Sequence, residues 1–312
     1  MKMFEDVKFD TPPIMFAAWP GMGNVGIIAT DYLRTSLGAE VFAEIDMAPY
    51  FIPDSIIVKD GVAQFPEIPG AIFYYKKDPS VIIFESNAQV GGRDGITIIK
   101  TILSIAIQFG VKQIYTAAAF AQPITHNTPS KVMVACNNPS QFSNFEGLDV
   151  HPMPDGYIAG QNGLLLGVAA SRKIDASCFL GTIPSFASNL SYPKAAREII
   201  RTIERLLGVT IDYREMNESI SIIDKQLEAI EERIKEYFPS SSEKEEEMPN
   251  VEDEEVPRYI MDKIEKLFEE VKEKSVDPKH LKKELDRWKL FELYEHRFLN
   301  LFVDKNDNEK KE

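Results

Sequence analysis

The chain has 312 residues, 44% of them apolar and 27% charged, with 49 acidic and 35 basic side chains giving a formal net charge of -14. That length suits one large α/β domain with an appendage, or two modest domains. The negative balance argues against nucleic acid or an anionic membrane as the main partner.

Ile14 to Trp19 is a short apolar run closed by Pro20-Gly21, which predicts a buried strand ending in a sharp turn. Asn24 is placed to cap the next element, a helix over Val25–Leu37 that Gly38 stops. Val41–Ile45 reads as a second strand. Pro49 to Lys76 breaks the alternation: the β-like pieces Ser55–Val58, Val62–Phe65 and Ala71–Tyr75 are separated by Asp60-Gly61 and Pro-rich turns, predicting an inserted hairpin or meander. Alternation then resumes with a strand at Val81–Glu85, a turn at Gly91–Gly95, and a helix over Ile96–Phe109. A strand at Gln113–Ala119 and another at Lys131–Cys136 follow. Gly160–Ser171 is apolar almost all round, as a helix buried on most sides would be. Ala176–Leu180 is the last core strand, and Tyr192–Leu207 an amphipathic helix with Pro193 in its first turn and Gly208 at its end. Strands separated by helices imply a mostly parallel sheet covered on both faces.

Beyond Asp212 the pattern changes. Residues 1–213 carry 20 acidic and 16 basic side chains, a net of -4, whereas residues 214–312 carry 29 and 19, a net of -10. The chain therefore divides into an α/β domain, 1–213, and an acidic helical extension, 214–312. Ile220, Ile223, Leu227, Ile230 and Ile234 repeat at three-and-four spacing, the narrow stripe of a coiled-coil seam. Residues 239–256, acidic and Ser-containing, predict a flexible linker. Two amphipathic helices complete the extension. Pro257 opens the first, with Ile260, Ile264, Leu267 and Val271 on one face. Asp277-Pro278 caps the second, which carries Leu281, Leu285, Trp288, Phe298 and Leu301. A polar end from Asp304 to Glu312 is expected to be disordered.

Gly21-Met22-Gly23-Asn24-Val25-Gly26 satisfies G-x-G-x-x-G between a strand and a helix, with Glu44 and Asp46 about 20 residues on, where a dinucleotide fold puts its ribose carboxylate. Two readings stand. In one, the backbone amides and helix N-terminus hold a phosphate. In the other, the glycines serve a tight strand–helix turn, and the bulky Trp19-Pro20 approach favours this.

The wider wording Trp19-Pro20-Gly21-Met22-Gly23-Asn24-Val25-Gly26 resembles the signature loop of the proteasome assembly chaperone 2 family. Gly160-Gln161-Asn162-Gly163-Leu164-Leu165-Leu166-Gly167 resembles its second block, and Leu180-Gly181-Thr182-Ile183-Pro184 the strand and turn that follow. Pro193-Lys194-Ala195-Ala196, Leu206-Leu207-Gly208 and Asp212 resemble its closing helix and what comes after. The blocks keep family order over residues 14 to 213. The resemblance implies a three-layer αβα sandwich, phosphorylase/hydrolase-like, that forms homo-oligomers. It further implies a chaperone-like role on proteasome α-type subunits rather than catalysis. Some proteasome-binding relatives end in a hydrophobic–tyrosine–any-residue tail. This chain ends Glu309-Lys310-Lys311-Glu312, so docking by that route is not expected.

Other chemistry is sparse. Gly91-Gly92-Arg93 lies between a strand and a helix, so its amides and guanidinium can hold an anion, or form a plain surface turn. The candidate ligand site is therefore Gly21, Gly23, Asn24, Gly26, Gly91, Gly92 and Arg93, the alternative function being nucleoside or nucleotide binding. Glu85 and Asp94 are candidates for a carboxylate pair across the second loop. His126 can titrate near pH 7 but has no nucleophile elbow beside it and reads as a structural hydrogen-bonder. His151, His280 and His296 lack metal-ligand spacing, and neither a metal nor a cofactor is expected. Cys136 and Cys178 lie in apolar runs and read as small core residues of a protein from a reducing compartment. The N-terminus has no apolar signal region. No stretch reaches the roughly 18 apolar residues of a membrane span. A soluble, cytoplasmic protein is expected.

Overall fold

The computed structural model describes residues 1–51, 53, 55–237, 258–273, 276–288 and 290–303. The linker expected at 239–256 and the polar end from Asp304 lie outside them.

Eleven strands and eight α-helices follow one another along the described chain. β1 (Lys2–Met3), β2 (Ile14–Ala18), α1 (Val25–Leu37) and β3 (Glu40–Glu44) precede the small hairpin β4 (Ile57–Lys59) and β5 (Val62–Gln64). Then come β6 (Ala71–Lys76), β7 (Val81–Ser86), α2 (Gly92–Gln108), β8 (Gln113–Gln122), β9 (Val132–Cys136) and β10 (Val150–Pro152). α3 (Gly160–Ser171), β11 (Asp175–Pro184), α4 (Pro193–Leu207) and α5 (Arg214–Tyr237) lead to α6 (Arg258–Lys272), α7 (Pro278–Arg287) and α8 (Phe291–Val303).

Nine strands form one mixed sheet in the order β1-β3-β6-β7-β2-β8-β11-β9-β10. Its centre, β7-β2-β8-β11, is parallel throughout. Antiparallel strands flank it: β6, β3 and β1 on one side, β9 on the other. The piece at Ala71–Tyr75 thus belongs to the central sheet, whereas β4 and β5 pair only with each other.

Alternation along the strands assigns the two faces. Met15, Ala17, Ile82, Phe84, Ala176, Cys178 and Leu180 join Ile98, Ile102 and Leu103 of α2 and Leu165 and Ala169 of α3 in one apolar cluster. The intervening residues face the other way. There Phe16, Tyr115 and Phe179 stack in a row, with ring centres 5.6 and 5.2 Å apart, and α1 and α4 pack against each other and against β8 and β11. This is the three-layer αβα arrangement. Burying Phe, Ile and Leu side chains on both faces contributes about 1.5–3 kcal/mol each, which is why the central strands read as continuous apolar runs.

By packing, the chain forms two units. One holds Met1–Pro123 with Thr128–Ser221; the other holds Ile124–Asn127 with the described residues from Ile222 onward. The first eight residues of α5 therefore belong with the α/β unit, with Met216 and Ile220 buried, although the composition break comes at 213. In the second unit α6, α7 and α8 build their own core from Ile264, Leu267, Phe268, Leu281, Leu285, Phe298 and Phe302. Asp277 caps α7, accepting a hydrogen bond from the Lys279 amide at 2.8 Å. The single helix expected after Pro278 is two. α7 stops at Arg287, and α8 restarts at Phe291 with Leu290 buried between them. Among the described residues no helix is long and apolar enough to cross a membrane.

Candidate functional site

The starts of α1, α2 and α3 gather at the C-terminal ends of the parallel strands, where open α/β sheets place their sites. Close approach begins at Gly26, in the first turn of α1. A Cβ there would lie 2.2 Å from the carbonyl oxygen of Ala117 on β8, so only glycine lets helix and strand touch.

The Gly21–Gly26 loop is a short 3-10 turn in which Gly23 takes the left-handed φ of 63°. The amides of Gly23 and Asn24 are engaged within the protein. Gly23 N donates to Ser188 O at 2.8 Å and Asn24 N to Gly21 O at 2.9 Å, while Tyr192 N returns a bond to Gly23 O at 2.8 Å. Asn24 precedes α1 but does not cap it through its side chain. Its φ of 49° is left-handed rather than the extended conformation that aims a capping oxygen at the helix amides. The Trp19 ring does not fill the loop; it is buried under the sheet, 5.2 Å from the ring of Phe84.

Three side-chain amides tie the helix starts together. Asn162, in the first turn of α3, accepts from Trp19 N and donates to Trp19 O, both at 3.2 Å. Its neighbour Gln161 accepts from Val90 N at 3.0 Å. Gln89 Nε2 donates to Pro20 O, and Gln89 Oε1 accepts from Gln161 N at 2.9 Å. The structure thus brings the two glycine loops together, through Gln89, two residues before Gly91. Gly91, Gly92 and Arg93 themselves are exposed at the start of α2, which begins at Gly92 and takes in most of the expected turn.

Beside this crown, between α1 and strands β6 and β7, lies a groove of about 460 Å³. Ile27, Ile28 and Ile72 form its apolar wall. At its base Arg34 Nε donates to Glu85 Oε2 at 2.8 Å, and Arg34 also pairs with Asp31 and lies 4.7 Å from the centre of the Tyr74 ring. The Glu85 side chain is 90% buried, with 10% exposed. That burial raises its pKa above the usual carboxylate value, and the adjacent guanidinium pulls part of the way back. Glu85 does not pair with Asp94. The two point to opposite sides of the sheet, since Glu85 faces α1 whereas Asp94 is exposed in the first turn of α2 on the other layer.

The remaining candidates are structural. His126 is buried in the second unit, its Nδ1 2.5 Å from Glu231 Oε2, and its backbone N donates to the same oxygen at 3.0 Å. Burial pushes the Cys178 thiol up to about 12 and raises that of Cys136, so both stay protonated. His151 and His280 are exposed. Among the described residues no group of three or more His, Cys, Asp or Glu side chains is placed to hold a metal ion.

Sequence reasoning passed over Gln89, Gln161, Asn162, Arg34 and Tyr74. For the amides a signal existed: two adjacent polar residues opening an otherwise apolar helix need buried partners. For Arg34 and Glu85, 51 residues apart, there was none.

No curated protein matches the chain. Among solved structures it is similar to Pyrococcus furiosus PbaB, an archaeal proteasome activator, at 26% identity and a TM-score of 0.63, over 74% of this chain and 97% of that one. It is also similar to Pyrococcus furiosus PbaA, an archaeal homolog of proteasome-assembly chaperone, at 21% identity and a TM-score of 0.58, over 75% of this chain and 92% of that one. A Mycobacterium tuberculosis proteasome-assembly chaperone homologue shares the fold at 18% identity and a TM-score of 0.56, over 75% of this chain and 97% of that one. The sequence profile of the PAC2 family matches residues 15–231. That span takes in the glycine crown, the groove and most of α5, and the chain belongs to the PAC2 family.

Proposed function

We propose that the protein is a chaperone-like scaffold of the cytoplasm that acts through protein–protein contacts as a homo-oligomer, with proteasome α-type subunits as its clients. The observation that carries this reading is the engagement of the first glycine loop. Gly23 and Asn24 spend their amides on Ser188 and Gly21, and Asn162 holds both backbone groups of Trp19. A loop built this way fastens a scaffold. Membership of the PAC2 family and likeness to an archaeal proteasome activator support the choice of client. The test is native co-purification of the full chain co-expressed with proteasome α-type subunits. A stable complex, or faster α-ring assembly, is expected; no complex and no change in assembly would overturn the client assignment.

A second reading rests on the groove and the open second loop. Gly91 and Gly92 have free space where a Cβ would be, and Arg93 stands exposed at the start of α2. In this reading a nucleoside or nucleotide binds across Gly21–Gly26 and Gly91–Arg93. Thermal shift against a nucleotide panel tests it: a ligand at 100 times its Kd adds about 2.7 kcal/mol, and an unmoved melting temperature across the panel would retire the idea.

A further inference from the structure

The β4–β5 hairpin is the most apolar exposed part of the described chain. Ile56 and Ile57 are 56% and 52% exposed, Val58 64%, Val62 58%, Phe65 81% and Ile68 57%. The hairpin belongs to no larger sheet, and Ile57 and Val58, being consecutive on one strand, turn to opposite faces. Both faces are therefore apolar and open. A two-stranded hairpin standing alone is marginally stable in water, and an uncovered apolar one is an aggregation site.

We propose that the hairpin is the self-association surface of the protein, covered on both faces by a second copy of this chain. Three observations choose this occupant. The six side chains present on the order of 600 Å², the upper end for the largest patch on a monomer, and most of the roughly 800 Å² per partner that a stable interface buries. Residues 55–68 carry only Lys59, Asp60 and Glu67, so two copies meet there without the repulsion that a net charge of -14 imposes elsewhere. An element that needs cover on both faces whenever it is folded needs a partner always present, and the chain itself is supplied in fixed proportion.

This inference rests on the homo-oligomer reading, and sedimentation velocity on the full chain separates the two. The wild type should sediment as an oligomer at micromolar concentration, and the double variant Val58→Glu, Phe65→Glu as a monomer with unchanged circular dichroism. These positions are exposed in the single chain, so charge there leaves its core intact. A monomeric wild type would overturn both readings. An oligomeric wild type whose mass the double variant preserves would overturn this inference alone, and loss of α-type subunit binding with mass preserved would make the hairpin a client surface instead. Should the variant misfold, hydrogen exchange of the wild type decides. Amides 55–68 must gain protection as concentration rises through the association range; hairpin amides that stay unprotected in the oligomer sink the proposal.

Discussion

Arg34 on α1 and Glu85 on β7 form a charged pair in which the acid is the more deeply buried partner, 10% exposed against 24% for the arginine side chain. The helix is thereby latched to the sheet at the base of the groove.

This arrangement sets a pH dependence. Because burial raises the folded pKa of Glu85 above its ordinary value of 4.5, the folded state binds the proton more tightly than the unfolded chain. The contribution of this group is then most favourable below about pH 4.5 and is lost as pH rises through the folded pKa. Glu85→Gln removes the titration. Relative to wild type, the variant should be most destabilised at pH 4 and less so at pH 7.5. Urea denaturation at the two pH values measures this, and an unchanged difference would show that Glu85 does not titrate in that window.

Gly26→Ala should cost about 2–3 kcal/mol, because the new methyl meets backbone at Ala117, which cannot rotate away. Gly167→Ala is the contrast. It lies mid-helix in α3, exposed, with nothing within 4 Å of the new methyl, and should gain about 0.5–1 kcal/mol. Denaturation midpoints of the two variants should move in opposite directions.

Asn162 both accepts from and donates to Trp19, so its replacements separate the two bonds. Asn162→Ala leaves a buried N–H and C=O without their partner and should cost about 2–3 kcal/mol. Asn162→Asp places a carboxylate against the Trp19 carbonyl and should cost more at pH 7. Lowering the pH to 4 should narrow the gap between the two, since a protonated acid can donate. A constant gap would mean that the side chain has turned away.

Truncation tests the boundary. A fragment ending at Ser221 keeps Met216 and Ile220, both buried in the full chain, and the 2.9 Å bond from Arg197 to Asn217; one ending at Asp212 loses all three. The longer fragment should fold and melt measurably higher, as burial of two large apolar side chains is worth about 1.5–3 kcal/mol each. Equal melting temperatures would put the boundary back at 213.

The sequence made legible whatever local chemistry dictates. α1 ends where Gly38 places it and α4 begins and ends where Pro193 and Gly208 place it, and the parallel core strands stand out as apolar runs. β1 and β10, two and three residues long, are too short to show any period; their pairing partners alone make them strands. The break at Trp288 was hidden because apolar residues recur on both sides of it. At the candidate site Gly26 was visible as part of a motif, but its contact, Ala117, is 91 residues away, and which glycine of the motif meets backbone is a property of the assembled layers.

The crown at the strand ends is held by Gln89, Gln161 and Asn162, side chains that never gain or lose a proton in water. Acidification therefore leaves these fasteners as they are, while the carboxylates elsewhere on the chain are neutralised. An acid-driven opening of this protein has to begin outside the crown, and the three helix starts should be among the last parts to come apart.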